Sequence, residues 1–315
     1  MGRIALLFPG QGSQAVGMGK ALADKYPAAR AVFDQADAAL GWPLSKLCFE
    51  GPDTELKRTA VTQPAILTTS IAVWKVATAE LGLTADAVCG HSLGEYSALV
   101  AAGCLTLRDA VKAVNARGQF MQTAVPEGVG AMGAVLGLDA AAIREVCAKV
   151  SNPAAGELVE VANYNGPDQT VISGHKAGVE KATAALKEAG AKRVLPLPVS
   201  APFHCGLMKP VQAQLQHVLD GCTFAPLAVP CVANVNAEPN QDPMKHRGLL
   251  IDQVVASVRF TQSVEALLGM GVDTFVELGP GKVLTGIVKR IRKDVKLINI
   301  EDPAGLDAAR AALAG

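Results

Sequence analysis

A chain of 315 residues, 50% hydrophobic and 18% charged, is long and apolar enough for one large core or two. Lysine plus arginine and aspartate plus glutamate each number 29, so the formal charge is zero, which argues against a general nucleic-acid or membrane-surface role. The seven cysteines are scattered and include no Cys-x-x-Cys, a usage that fits free thiols in a reducing cytoplasm better than a disulfide framework or a zinc site.

Met1 to Phe8 has one basic residue and a short apolar run stopped by Pro9. It is too short for a signal sequence and predicts a first strand over Ile4 to Phe8, continuous and apolar as in a parallel sheet covered on both faces. No apolar run reaches membrane-spanning length, so a cytoplasmic protein is expected. Pro9-Gly10-Gln11-Gly12-Ser13-Gln14 follows as a glycine-rich loop. Gly10-x-Gly12-x-x-Ala15 formally meets the dinucleotide fingerprint, but that site needs an acidic residue closing a second strand, and Asp34 lies inside the helical spacing of Ala28 to Leu40. An alternative use of the loop is to aim a backbone N–H at another site. Thr62 to Leu81 reads as a long helix with Pro64 tolerated in its first turn. Asp86 to Cys89 reads as a short buried strand, Tyr96 to Ala102 as a buried helix, and Leu107 to Thr123 as a helix that sets Arg117 among apolar neighbours.

From Ala131 the pattern changes. A strand over Met132 to Leu138 precedes a helix over Asp139 to Val150 and a strand over Leu158 to Ala162. Asn165-Gly166 then reads as a turn before a strand over Thr170 to Ser173, a helix over Lys176 to Ala189 and a strand over Lys192 to Leu197. The order β-α-β-β-α-β is the ferredoxin-like unit. It predicts an α/β protein whose large parallel-sheet subdomain, residues 1–126 and 199–315, is interrupted by a small ferredoxin-like subdomain at 127–198. Val199-Ser200-Ala201-Pro202-Phe203-His204-Cys205 is then a loop before a helix over Gly206 to Asp220. Val229 to Ala233, Thr274 to Leu278 and Lys296 to Ile300 complete the large sheet, and Leu306 to Leu313 is a closing helix. Gly281-Lys282 lacks the upstream glycine and following hydroxyl residue of a phosphate-binding loop.

Gly90-His91-Ser92-Leu93-Gly94-Glu95 joins the second strand to its helix, and Gly-x-Ser-x-Gly there is the nucleophile-elbow pattern. Ser92-Leu93-Gly94-Glu95 also fits a capping box, with Ser92 as a plain helix cap. A serine nucleophile needs a base. Of the five histidines, His175 and His217 fall on helices and His246 lies in a polar run that reads as surface. His204, at a strand-to-helix junction and after the serine as in α/β-hydrolases, is either that base or a structural loop histidine. Arg117, as a lone arginine on a helix, reads by itself as solvated surface, with a functional cation as the alternative. Met121 and Phe203 are either pocket walls or core.

These segments, with Arg117-Gly118, Ala201-Pro202-Phe203-His204 and Gly279-Pro280-Gly281-Lys282 in the same order, resemble the malonyl-CoA:acyl carrier protein transacylases of type II fatty acid synthesis and the acyltransferase domains of polyketide synthases. The likeness runs over essentially the whole chain. It implies an α/β-hydrolase-like catalytic subdomain and a ping-pong malonyl transfer through Ser92, from malonyl-CoA to the thiol of acyl carrier protein. His204 would be the base, and the backbone N–H groups of Gln11 and Leu93 the oxyanion hole. Arg117 would bind the malonyl carboxylate, and the backbone carbonyl of Gln253 would orient the histidine. His91, Met121 and Phe203 would line the pocket. Thioester exchange needs no bound metal or redox cofactor. Lys289, Arg290, Arg292 and Lys293 form the densest basic cluster and are candidates to dock an acidic carrier protein. The competing readings are a serine thioesterase or esterase, which lacks a use for Arg117, and a non-catalytic carrier-binding module.

Overall fold

The computed structural model describes residues 2–199 and 201–314. Met1, Gly315 and Ser200 of the expected loop lie outside the described residues. Among the described residues, ten strands lie in chain order at β1 (Arg3–Phe8), β2 (Ala87–Gly90), β3 (Gly130–Leu136), β4 (Val159–Gly166), β5 (Gln169–His175), β6 (Arg193–Pro196), β7 (Cys231–Val232), β8 (Pro239–Asn240), β9 (Val272–Leu278) and β10 (Lys296–Ile300).

The larger sheet has the order β10-β9-β1-β2-β7-β8. Its first five strands run parallel, and β8 is a short antiparallel edge. The apolar run of β1 occupies the centre because both of its faces are covered. Leu6 and Phe8 pack into a core with the helices on one side, while Ala5 and Leu7 join Phe260, Val264 and Ile287 on the other. Full burial of a side chain such as Leu7 is worth about 1.5–3 kcal/mol. The second sheet has the order β4-β5-β3-β6 and is antiparallel throughout, with helices Ala140–Val150 and Lys176–Glu188 making its crossovers. Connectivity and order are those of the ferredoxin-like unit. The sheets meet where β4 borders the loop before helix Phe260–Gly269. Val258 N–H donates to Ala162 O at 2.8 Å, and Tyr164 N–H donates to Val258 O at 2.9 Å.

Three local expectations are corrected. The helix read as Thr62 to Leu81 begins at Thr59, so Pro64 lies beyond its first turn. The carbonyl of Ala60 that Pro64 cannot serve accepts instead from Asn115 Nδ2 at 2.8 Å. Asn165 and Gly166 belong to β4 rather than to the turn, which falls at residues 167–168. His246 is buried, not on the surface. Asp242 caps helix Pro243–Gln253, and the ring turns inward to hydrogen-bond Asn240 O at 3.0 Å.

Candidate active site

The loops after β1 and β2 meet at the carboxyl ends of the central strands, where open α/β sheets place their ligands. The β2 turn is as tight as a chain can make it. A Cβ on Gly90 would fall 2.0 Å from the Gly94 carbonyl, and one on Gly94 would fall 2.1 Å from Phe8 O, so only glycine fits either position. Between them Ser92 is held at φ 53, in the left-handed region that a non-glycine residue seldom adopts. His204, across the cleft, has φ 57. Strain of this kind persists only where the surroundings over-determine it.

Ser92 is not a helix cap. The helix runs from Gly94 to Ala101, its cap residue is Leu93, and no side chain caps it. Glu95 does not reach back to the Ser92 N–H, as a capping box requires. That N–H donates instead to Asn234 Oδ1 at 2.7 Å, from beyond the end of β7, and Asn234 Nδ2 donates to Gly90 O at 2.7 Å. Asn234 therefore braces the elbow, and no pattern in the sequence marked it.

Ser92 Oγ is 2.8 Å from His204 Nε2, and His204 Nδ1 is 2.9 Å from the backbone carbonyl of Gln253. A carbonyl only accepts, so Nδ1 carries the proton and Nε2 faces the serine as the free lone pair. Burial and the Arg117 charge lower the histidine to about 3, so the ring is neutral across the physiological range.

Arg117 is buried, at 1% exposure. Its Nη1 donates to Gln63 Oε1 at 2.8 Å, and its Nη2 donates both to Gln253 Oε1 at 2.9 Å and to Ser92 Oγ at 3.0 Å. Burial lowers its pKa, and its Nε has no partner among the described residues. A guanidinium removed from water, with neutral amides around it and a donor to spare, is suited to a planar anion.

A cavity of about 100 Å³ opens above Ser92, lined among others by Gln11, Gln63, His91, Leu93, Arg117, Met121, Phe203 and His204. At about 30 Å³ per water molecule, it has room for a small acyl group. Among the described residues, the backbone N–H groups of Gln11 and Leu93 donate to no protein acceptor. His91 Nε2 pairs with Asn165 Oδ1 at 2.8 Å, tying the elbow to β4, and burial lowers its pKa. Gln63, Met132, Asn163, Leu197 and Val199 also line the cavity, and sequence reasoning missed them because they converge from distant segments.

The Gln253 carbonyl occupies the place where a triad carboxylate would sit, and Asp168 and Asp220 pair elsewhere, with Arg290 at 3.1 Å and with Arg247. The phosphate-like Gly281-Lys282 turn precedes a helix whose first N–H groups are already taken. Glu277 accepts from Leu284 N–H at 3.0 Å and Thr285 N–H at 2.8 Å. Among the described residues, no group of three or more His, Cys, Asp or Glu is placed to hold a metal ion.

An elbow serine, a histidine oriented by a backbone carbonyl where a triad would place a carboxylate, and a buried arginine beside the serine make a site suited to handling acyl groups. The chain belongs to the acyl transferase domain family, whose model matches residues 5–315. It is 50% identical over 309 residues to a malonyl CoA-acyl carrier protein transacylase of Bacillus subtilis (strain 168), covering 98% of this chain and 96% of that protein. A crystal structure of an acyl carrier protein S-malonyltransferase from Vibrio cholerae superposes with a TM-score of 0.94 at 46% identity, covering 98% of this chain and 99% of that one. A malonyl-transacylase solved in complex with a type II polyketide synthase acyl carrier protein superposes equally well, at 44% identity, TM-score 0.94 and coverage of 98% and 99%.

Proposed function

We propose that this chain moves a malonyl group from malonyl-CoA to the phosphopantetheine thiol of acyl carrier protein, through an ester on Ser92. The observation that carries this reading is the buried Arg117, 3.0 Å from the same oxygen that His204 contacts. An esterase or thioesterase has no use for a cation there, whereas a malonyl group carries the carboxylate that completes it.

Ser92 Oγ attacks the thioester carbonyl as His204 Nε2 takes its proton. The new C–O bond puts negative charge on the former carbonyl oxygen, which the backbone N–H groups of Gln11 and Leu93 receive. Losing one such donor typically costs about 10²–10³ in rate. Collapse breaks the C–S bond, and the departing sulfur takes the proton from His204. The carrier thiol then attacks the ester, His204 accepts the thiol proton, and Ser92 Oγ leaves with it. One thioester is exchanged for another, so the chemistry calls for no metal or redox cofactor. Arg117 receives the malonyl carboxylate in both halves, and Phe203 and Met121 close the cavity wall against water. His91 completes that wall.

The reading extends to the chain's organisation: residues 127–198 form the inserted subdomain, and 1–126 with 199–315 form the catalytic one. No described helix is long and apolar enough to cross a membrane. With free cysteines of which Cys222 alone is not fully buried, this supports a cytoplasmic setting.

The test is the intact mass of the protein after brief mixing with malonyl-CoA. One malonyl adduct is expected on the wild type and none on Ser92→Ala, with the adduct discharged by added acyl carrier protein. Free malonate accumulating with no adduct would instead make the protein a hydrolase.

A further inference from the structure

Glu95 lies in the first turn of the helix behind Ser92, with no solvent exposure, and none of the chemistry above uses it. A carboxylate removed from water needs donors. Glu95 has two, both on Oε2: Gln253 Nε2 at 2.7 Å and the Asn234 backbone N–H at 3.0 Å. Its Oε1 has no partner among the described residues. The Gln253 contact has a directional consequence. An ionised carboxylate only accepts and a guanidinium only donates. With its NH₂ turned to Glu95, the Gln253 amide must present Oε1 on its other side, where it accepts from Arg117 Nη2 at 2.9 Å. The flipped amide would set N–H groups against the guanidinium and an oxygen against the carboxylate. Among the described residues, Gln63, which holds the other end of Arg117, has no anion behind it, and its Nε2 meets only the Met121 sulfur at 3.9 Å.

We propose that Glu95 is the positioning residue for Arg117: through the Gln253 amide, its carboxylate fixes where the guanidinium sits and thereby the preference for acyl groups that carry a free carboxylate. The inference rests on the transferase reading and assigns its specificity to a residue that touches neither substrate nor the reacting atoms. The ionisable groups facing Glu95 are Arg117, Tyr96, Cys89 on β2 and Cys231 on β7. Burial and the neighbouring carboxylate push the tyrosine and both thiols up, so Arg117 is the charged member of the set at neutral pH. Burial also raises Glu95, to about 7, against the opposing pull of Asn234, Gln253 and Arg117. A proton on Glu95 gives it a donor of its own and weakens the shortest of the contacts that hold the NH₂ on this side, the others being Ser92 O at 3.1 Å and Asn234 Oδ1 at 3.4 Å.

The experiment measures Ser92 acylation rates with malonyl-CoA and with acetyl-CoA, by quenching and intact mass, alongside thermal unfolding. The proteins are the wild type, Glu95→Leu, Gln253→Leu and the double variant. Each single change is expected to lower the malonyl-to-acetyl ratio about tenfold, because a small displacement of a positioning group suffices for that. The double variant should lose no more than either single one, since both act through one path. Glu95→Gln, which like the protonated side chain is neutral and carries a donor of its own, should also show a lowered ratio. A folded Glu95→Leu with an unchanged ratio overturns the proposal, as do additive losses in the double variant. If Glu95→Leu does not fold, Glu95→Gln decides across neutral pH. The wild-type ratio should fall as Glu95 takes up its proton while that of the variant stays level, and parallel profiles overturn the proposal. Absence of any wild-type malonyl adduct would defeat the transferase reading itself and is read separately from the ratios.

Discussion

In the proposed reaction His204 moves the proton, and its surroundings make it a weak base. Burial first, and the Arg117 charge second, lower it to about 3, so protonation does not remove it as a base until well below neutral pH. Acylation by acetyl-CoA, which brings no carboxylate to Arg117, should therefore show no histidine inflection between about pH 5 and 8. An inflection near the ordinary histidine value in the rapid-quench profile would contradict this. In the proposed reaction with malonyl-CoA, the substrate carboxylate would offset the Arg117 charge and relieve the smaller of these two causes, while burial remains. Arg117 would thus have a second effect beyond its proposed hold on the acyl group: an uncharged group leaves His204 beside an unneutralised cation. The serine and histidine could be picked out in the sequence because elbow spacing and loop position are local signals. Glu95, Asn234 and the side chain of Gln253 could not, because their partners lie far away: Asn234 braces a residue 142 positions earlier, and Gln253 meets Glu95 across 158.

At the scale of elements, the elbow joins β2 to its helix through two glycines whose absent side chains are a steric requirement. Gly94→Ala would drive a methyl group to 2.1 Å from the Phe8 carbonyl, which belongs to the central strand and cannot swing away. Overpacking of this kind costs about 1–3 kcal/mol, and here it also shifts the Ser92 backbone. The variant should show a lowered Tm together with slowed acylation; a wild-type Tm and rate would disprove the steric account. The strands other than the short edge β8, and most helices, were legible because apolar runs and periodicity are local. Ends were less so. The helix from Thr59 starts ahead of its apolar pattern because Asn115, on another helix, supplies the hydrogen bond that Pro64 cannot. His246 misled for a related reason: the polar residues around it are there to begin a helix, not to face water.

For the whole molecule, the basic cluster near the C-terminus divides into two roles. Arg290 pairs with Asp168 at 3.1 Å and reaches Gln169, fastening the β4–β5 hairpin to helix Val283–Ile291, and Arg292 lies 3.7 Å from Asp294. Lys289 and Lys293 are exposed and have no ion-pair partner among the described residues. If the cluster meets an acidic carrier protein, these two lysines make the contact. Reversing both to glutamate should raise the KM for acyl carrier protein severalfold at low salt, leave the KM for malonyl-CoA unchanged, and show a smaller effect as salt screens the charges. An unchanged carrier KM would place docking elsewhere. The fold as a whole was legible from the ordered elements. How its two sheets press together was not, since that contact depends on backbone edges rather than side-chain pattern.

The seam at Val258 bears on how such proteins are recombined. That residue stands five places beyond Gln253, whose carbonyl orients His204, and it exchanges backbone hydrogen bonds with Ala162 and Tyr164 on β4. The small subdomain lends no atom to the serine–histidine pair, yet its edge holds the loop that aims the ring. A chimaera that imports a foreign 127–198 segment to change acyl choice inherits a new template for that loop, so the graft must match the β4 edge at Val258 before any pocket residue matters.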